Sequence, residues 1–388
     1  MTHTIYLDNS LITRPSKEAV SEMIPFLSKR WGTSLAPHKW GHQNLPAMEQ
    51  GYRSLYNLLG AKESDVVVMT SSGTEAINHI VQSVYRDVTV ETGKNHFLTS
   101  ACDEAAQIMA MSHLEKLGVV CRMVDVNPEG VVTAEAVGDV VTPRTALLSL
   151  SWANGLTGVI QPIEEIAKVC KERGFLFHVD ASHVLGKIYF ELDQIGVDFI
   201  TFEGSLLHAP QGTGVLFVRD GVKLSPLIYG AQEQGGHRAG PLNLAGFAAL
   251  GKAADQLLES RDLLCMEGAR LRNALEEGIQ AGYPDAKPLF TDQLRLPHVT
   301  TIAFPGVANE ALLFALSEKG LFASIGGGAQ QQLSLILETC QVDPLLAQSA
   351  ISFSLSRETN DQDIEQAIER IVSTAKQLRQ TSSQMVSL

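Results

Sequence analysis

Two short stretches carry residue types and spacings suited to chemistry on an anionic or aromatic ligand. Thr70-Ser71-Ser72-Gly73-Thr74-Glu75 follows an apolar run and opens a segment with Ile77, Ile80, Val81 and Val84 at helical spacing. The free N–H groups at such a helix start can cradle a phosphate, and Thr74 is placed to cap them. Taken alone, the pattern is a weak signal and reads better as a cap without a ligand. The second stretch, Phe175-Leu176-Phe177-His178-Val179-Asp180-Ala181-Ser182-His183, puts Asp180 at the C-terminal end of a buried strand. Open α/β sheets place their ligand crevice there, and a carboxylate so placed can keep a pyridinium nitrogen protonated. An Asp that starts the next turn explains the residue as well. Cys102, Cys121, Cys170, Cys265 and Cys340 are odd in number, scattered and never spaced C-x-x-C. They offer no zinc site and fit reduced thiols, most of them small core residues.

The elements that must position these residues follow from the hydrophobic pattern. Val66–Met69, Leu147–Leu150, Phe175–Val179, Phe199–Phe202 and Val215–Val218 are buried-strand runs bounded by Gly, Ser or Asp. Helical stretches such as Glu164–Arg173 lie between them. Strand–helix alternation of this kind predicts an α/β fold with an open, mostly parallel sheet covered on both faces. A helix over Gly246–Gly282 leads into a smaller α+β unit with strands Val299–Phe304 and Ala350–Leu355 and helices Asn309–Lys319 and Asp361–Gln380. The 388-residue length calls for two domains. We place the large one at 14–255 and the small one at 1–13 with 256–388. The net charge of −13 gives no basic footprint for nucleic acid or anionic lipid. No apolar run reaches the roughly 18–20 residues of a membrane helix, and MTHTIYLDNS lacks the basic and apolar regions of a signal peptide. A cytoplasmic protein is the expectation.

IYLDNSLIT (Ile5–Thr13), TSSGTEAIN (Thr70–Asn78), NGLTGVIQPI (Asn154–Ile163), HVDASHVLGK (His178–Lys187), QGTGVLFVRDG (Gln211–Gly221), RAGPLN (Arg238–Asn243) and SFSLSRETN (Ser352–Asn360) occur in this order. The succession resembles the cysteine desulfurases (NifS/IscS-like) of the class V aminotransferase group, from about residue 4 to 375. The resemblance implies a homodimer of pyridoxal-phosphate (PLP) fold-type I subunits with a seven-stranded sheet in the large domain. It implies cofactor contacts at Thr74, Asn154, Asp180, His183, Glu203 and Ser205, and a substrate-carboxylate contact at Arg357.

At several family positions this sequence departs from the pattern. The Lys that forms the internal aldimine falls at Leu206, whose isobutyl group has no nitrogen. The closest lysines in sequence are Lys187 and Lys223. The Ser and His of the same motif fall at Glu203 and Ser205, the phosphate threonine at Pro241, the ring-stacking His at Glu104, and the Gln beside the ring hydroxyl at His183. The sulfur-accepting Cys falls at Ala329; Cys340, in the run LILETC, belongs to the core, and nothing near Cys102 lowers its pKa. The reading favoured is a catalytically inactive desulfurase-like protein with a binding or regulatory role, partnered by a second copy and by an active desulfurase or sulfur-transfer protein. One alternative is a family enzyme holding PLP or its pyridoxamine form noncovalently on Asp180 and Thr74. Another is a cofactor-free site holding a small carboxylate on Arg357, with Glu104, Glu203 and His183 as its polar groups.

Overall fold

The computed structural model describes residues 3–328 and 330–386, with side chains as far as residue 381. Among these residues, strands β1 (Ile5–Tyr6), β2 (Val66–Thr70), β3 (His96–Ser100), β4 (Val120–Val124), β5 (Thr145–Ser151), β6 (Leu176–Asp180), β7 (Phe199–Glu203), β8 (Gly214–Val218), β9 (Lys287–Pro288), β10 (Val299–Ala303), β11 (Leu321–Phe322) and β12 (Ala350–Ser354) form three sheets. The large sheet runs β2-β8-β7-β6-β5-β3-β4, and β8 alone opposes the others. Five of its strands are the runs recognised in the sequence. β6 differs by starting at Leu176 and including Asp180 as its last residue. The remaining two, β3 and β4, lie at one side of the sheet; β3 is buried but largely polar, His-Phe-Leu-Thr-Ser, and β4 exposes Val120 and Met123, so neither reads as a buried apolar run.

The helix Gly73–Val84 packs Ile77, Ile80 and Val81 into the core on one face of the sheet. Its N-cap is Ser72, whose side chain accepts from Glu75 N; the expected cap, Thr74, instead lies in the first turn. Thr74 follows a glycine that already has helical geometry, so the extended backbone a cap requires falls two residues earlier. Gly214 of β8 lets this turn come close: a Cβ there would sit 2.2 Å from the Ser72 carbonyl carbon.

The helix Leu244–Gly282 spans 39 residues and carries the chain from the large sheet to a second core. Leu271, Leu275 and Ile279 pack there with Ile5, Leu7, Ile302, Phe304, Ile351 and Phe353. A three-stranded sheet β12-β10-β9 and a parallel β1–β11 pair complete it. Asn309–Glu318 and Asp361–Val386 cover this unit. Ile5 and Leu7 join this core although the rest of the unit is C-terminal, because β1 pairs in parallel with β11.

Candidate functional site

β6 ends at Asp180 and β7 ends at Glu203, so the parallel pair delivers two carboxylates to the same edge of the sheet. There they line a cavity of about 390 Å³ with Thr74, Asn78, Glu104, Ser182, Leu206 and Gln330. Of the residues proposed from the sequence, Thr74, Glu104, Asp180, Glu203 and Leu206 are brought together.

Asp180 is spent locally. Its Oδ1 accepts from Ser182 N at 2.9 Å and from Ser182 Oγ at 2.6 Å. Burial, and then the nearby Glu104 carboxylate, push its pKa well above the usual carboxylate range. Ser182 was missed from sequence, although a small hydroxyl two residues after an Asp is the signature of a side-chain-to-backbone turn.

Glu104 accepts from or pairs with His183, Nε2 to Oε1 at 2.8 Å, so these two proposed residues contact each other. The His183 ring stands against Gly155, where a Cβ would lie 2.4 Å from the imidazole. Glu203 faces the start of the helix Gly73–Val84. Its Oε2 accepts from Gly73 N at 2.7 Å and its Oε1 from Ser205 Oγ at 3.1 Å. Burial raises its pKa despite both bonds, which favour the charged form. A carboxylate therefore occupies the position where a helix N-terminus holds an anion.

Leu206 is 5% exposed and lines the cavity. Lys187 is not distant, as its separation in sequence suggested. Its Nζ lies 3.5 Å from the Leu206 carbonyl oxygen, because the turn after β6 folds back beneath the segment that follows β7. The lysine lines a different cavity from Leu206.

Four proposed binding residues do not line the Asp180 cavity: His183 and Ser205, which bond to its wall residues Glu104 and Glu203, and Asn154 and Arg357. Asn154 donates to the Cys102 carbonyl at 2.9 Å and accepts from Leu156 N at 3.0 Å and Thr157 N at 2.9 Å, which shapes its own loop. Arg357 lines the Lys187 cavity and has a 3.5 Å bond to Gln256 Oε1. The carboxylate site that combined Arg357 with Glu104, Glu203 and His183 is thus divided in two. Ala329 lies outside the described residues. Gln330 beside it reaches the cavity and donates to the Ser10 carbonyl at 3.0 Å, a contact between segments 320 residues apart that no local pattern announces. Cys340 is 2% exposed at the end of the helix Leu333–Thr339, against Cys102. The Cys340 contact and burial push the Cys102 thiol far up, so it is no thiolate at neutral pH. Among the described residues, no helix is long and apolar enough to cross a membrane.

A seven-stranded, mostly parallel sheet with its site at the strand ends, joined to a smaller α+β unit, defines a PLP-transferase-type fold, and the chain belongs to the aminotransferase class-V family, which matches residues 5–367. Its relatives are cysteine desulfurases. One from Gluconacetobacter diazotrophicus is 34% identical over 384 residues, covering 98% of this chain and 95% of that protein. The cysteine desulfurase NifS of Azotobacter vinelandii is 31% identical, covering 97% and 94%. A solved NifS-like protein superposes with a TM-score of 0.90 at 28% identity, covering 97% of this chain and all of that one.

Proposed function

We propose that this chain is a desulfurase-like protein that has kept the family architecture without the family chemistry, and that it acts by binding. The observation that carries this reading is the carboxylate of Glu203 on Gly73 N at 2.7 Å. PLP, the family's cofactor, would bring a phosphate dianion to that helix start. Two like charges a few Å apart at low effective dielectric cost on the order of several kcal/mol. The residues present do not fit the cofactor. Leu206 supplies no amine to the cavity wall, Glu104 is engaged with His183 where a stacking ring is needed, and Asp180 is held by Ser182 with its pKa raised. Ala329, at the position of the sulfur-accepting thiol, offers none.

We place the protein in a homodimer. Ile24, Leu27, Trp31 and Leu35 are 55–68% exposed along the N-terminal segment, and Trp31 and Leu35 share a groove with Pro241. Apolar surface of that kind marks an interface. An active desulfurase or a sulfur-transfer protein is the partner proposed beyond the dimer. Five free thiols fit a reducing cytoplasm.

The test is to mix purified protein with PLP, dialyse, and follow visible absorbance and sulfide release from cysteine. The expected result is no retained chromophore and no sulfide. A yellow complex that borohydride fixes as a covalent adduct, or sulfide release above that of free PLP, would overturn the reading.

A further inference from the structure

The charge around the Asp180 cavity is of the sign that repels an anionic ligand. Its lining holds three carboxylates, Glu104, Asp180 and Glu203, and no lysine or arginine; its one histidine, His113, is exposed. Two of the carboxylates have compensation within the protein. Glu104 pairs with His183 at 2.8 Å, and the helix start at Gly73 offsets about half the charge of Glu203. Asp180 is 6% exposed, and its hydrogen bonds come from the neutral Ser182 N and Oγ, both to Oδ1. Burial, and then the Glu104 charge, raise its pKa, the response of a buried carboxylate short of a counter-charge.

Two further side chains of the lining are buried and unpaired. Gln330 is 6% exposed, and its Nε2 donates to the Ser10 carbonyl at 3.0 Å. That bond fixes the amide, so the atom left without a partner is the oxygen, Oε1. Ser10 is 2% exposed, and its Oγ also has no partner. Buried polar atoms in folded proteins are ordinarily paired, and an amide oxygen can be satisfied only by a donor. A water molecule would satisfy Gln330 and Ser10 and still bring no charge to Asp180. A metal ion does not fit, because among the described residues no three His, Cys, Asp or Glu side chains are placed to hold one. Leu11, Ile77, Met109 and Leu206 make much of the remaining wall apolar.

We propose that this cavity binds a small primary ammonium carried on an apolar body, its N–H groups meeting Asp180 and the unpaired Gln330 and Ser10 oxygens, its body against Ile77, Met109 and Leu206. An ammonium brings three donors, no acceptor and the missing positive charge. This inference rests on the reading that the chain acts by binding, and it names the chemistry of what is bound.

Calorimetry on the full-length protein without added PLP tests it, with benzylamine as probe, benzyl alcohol as the uncharged control, benzoate as the anion and magnesium as the inorganic cation. Benzylamine should bind, and the other three should not. Asp180→Asn keeps an oxygen for Ser182 N and Oγ and removes the charge. It should fold, as a near-normal circular dichroism spectrum would show, and bind benzylamine about ten- to a hundredfold more weakly, the loss of one charge-assisted hydrogen bond. Ser10→Ala removes a hydroxyl with no partner in the protein, so it should leave the melting temperature unchanged and weaken binding about two- to tenfold. No benzylamine binding by the parent protein, benzyl alcohol, benzoate or magnesium binding as tightly, or unchanged affinity in Asp180→Asn would each overturn the assignment. Should Asp180→Asn fail to fold, unchanged affinity in Ser10→Ala overturns it. PLP absorbance is read separately: a retained chromophore overturns the reading of the chain as a binding protein, whereas no chromophore and no benzylamine binding overturn the ligand class alone.

Discussion

If Glu203 stands in for a bound anion at the start of the helix Gly73–Val84, removing its side chain and removing only its charge should have different consequences. The Gly73 N–H bond to a carboxylate contributes about 1.5–3 kcal/mol net, and the Ser205 hydroxyl bond about 0.5–1.5 kcal/mol. Part of that sum is cancelled, since burial outweighs both bonds and raises the Glu203 pKa. Glu203→Ala should therefore cost about 2 kcal/mol rather than about 4. Glu203→Gln keeps an acceptor for Gly73 and a partner for Ser205, and should lie within about 1 kcal/mol of the parent. The pH dependence carries the sign. Because the folded state binds the Glu203 proton more tightly than the unfolded chain, the charge costs stability progressively as pH rises from the ordinary glutamate pKa through the higher folded value. The parent should thus lose more stability over that interval than Glu203→Gln does. Urea unfolding of the three proteins at several pH values between 4 and 8 measures both effects. If Glu203→Ala is as stable as the parent, the carboxylate is not occupying an anion site and the argument fails.

Two further outcomes follow from named contacts. Glu203→Ser, Ser205→His and Leu206→Lys together should restore an aldimine absorbance with PLP and should not restore sulfide release, since Ala329 still has no thiol; a triple variant that stays colourless at high PLP would show that the pocket has closed. His178 is fully buried between Ser149 Oγ (2.7 Å) and Thr201 Oγ1 (2.9 Å), and burial lowers its pKa to about 3. Below the unfolded value of about 6.5 the unfolded chain takes the proton first, so His178 should remove about 2 kcal/mol of stability between pH 6.5 and 5. His178→Gln should lack that increment, and equal pH 7-to-5 losses in urea unfolding of the two proteins would refute it.

The large sheet was legible where its buried strands read as nearly unbroken apolar runs. β3, buried throughout, escaped because only Phe97 and Leu98 of its five residues are apolar; the edge strand β4 escaped because it exposes Val120 and Met123 and carries Arg122, a pattern of neither a buried run nor a clean alternation. The strand-end residues Asp180, Glu203 and Leu206 could be placed together because adjacent parallel strands end at the same edge. Asn154 and Arg357 could not be placed this way. Whether a loop side chain turns toward a cavity depends on which backbone groups claim it, and Leu156 N and Thr157 N claim Asn154.

Lys187 shows most clearly what sequence distance conceals. Nineteen positions separate it from Leu206, which in an extended chain is far beyond the reach of any side chain. β6 and β7 are hydrogen-bonded neighbours, however, so the segments leaving their ends run side by side, and the turn after Asp180 brings the lysine back beneath the residue after Glu203. The amine thus lies beside the backbone of the residue at the position of the family's lysine. Its presence does not restore that lysine, because Lys187 lines a different cavity from Leu206. A cation can be close to a family position in space and still serve a different pocket.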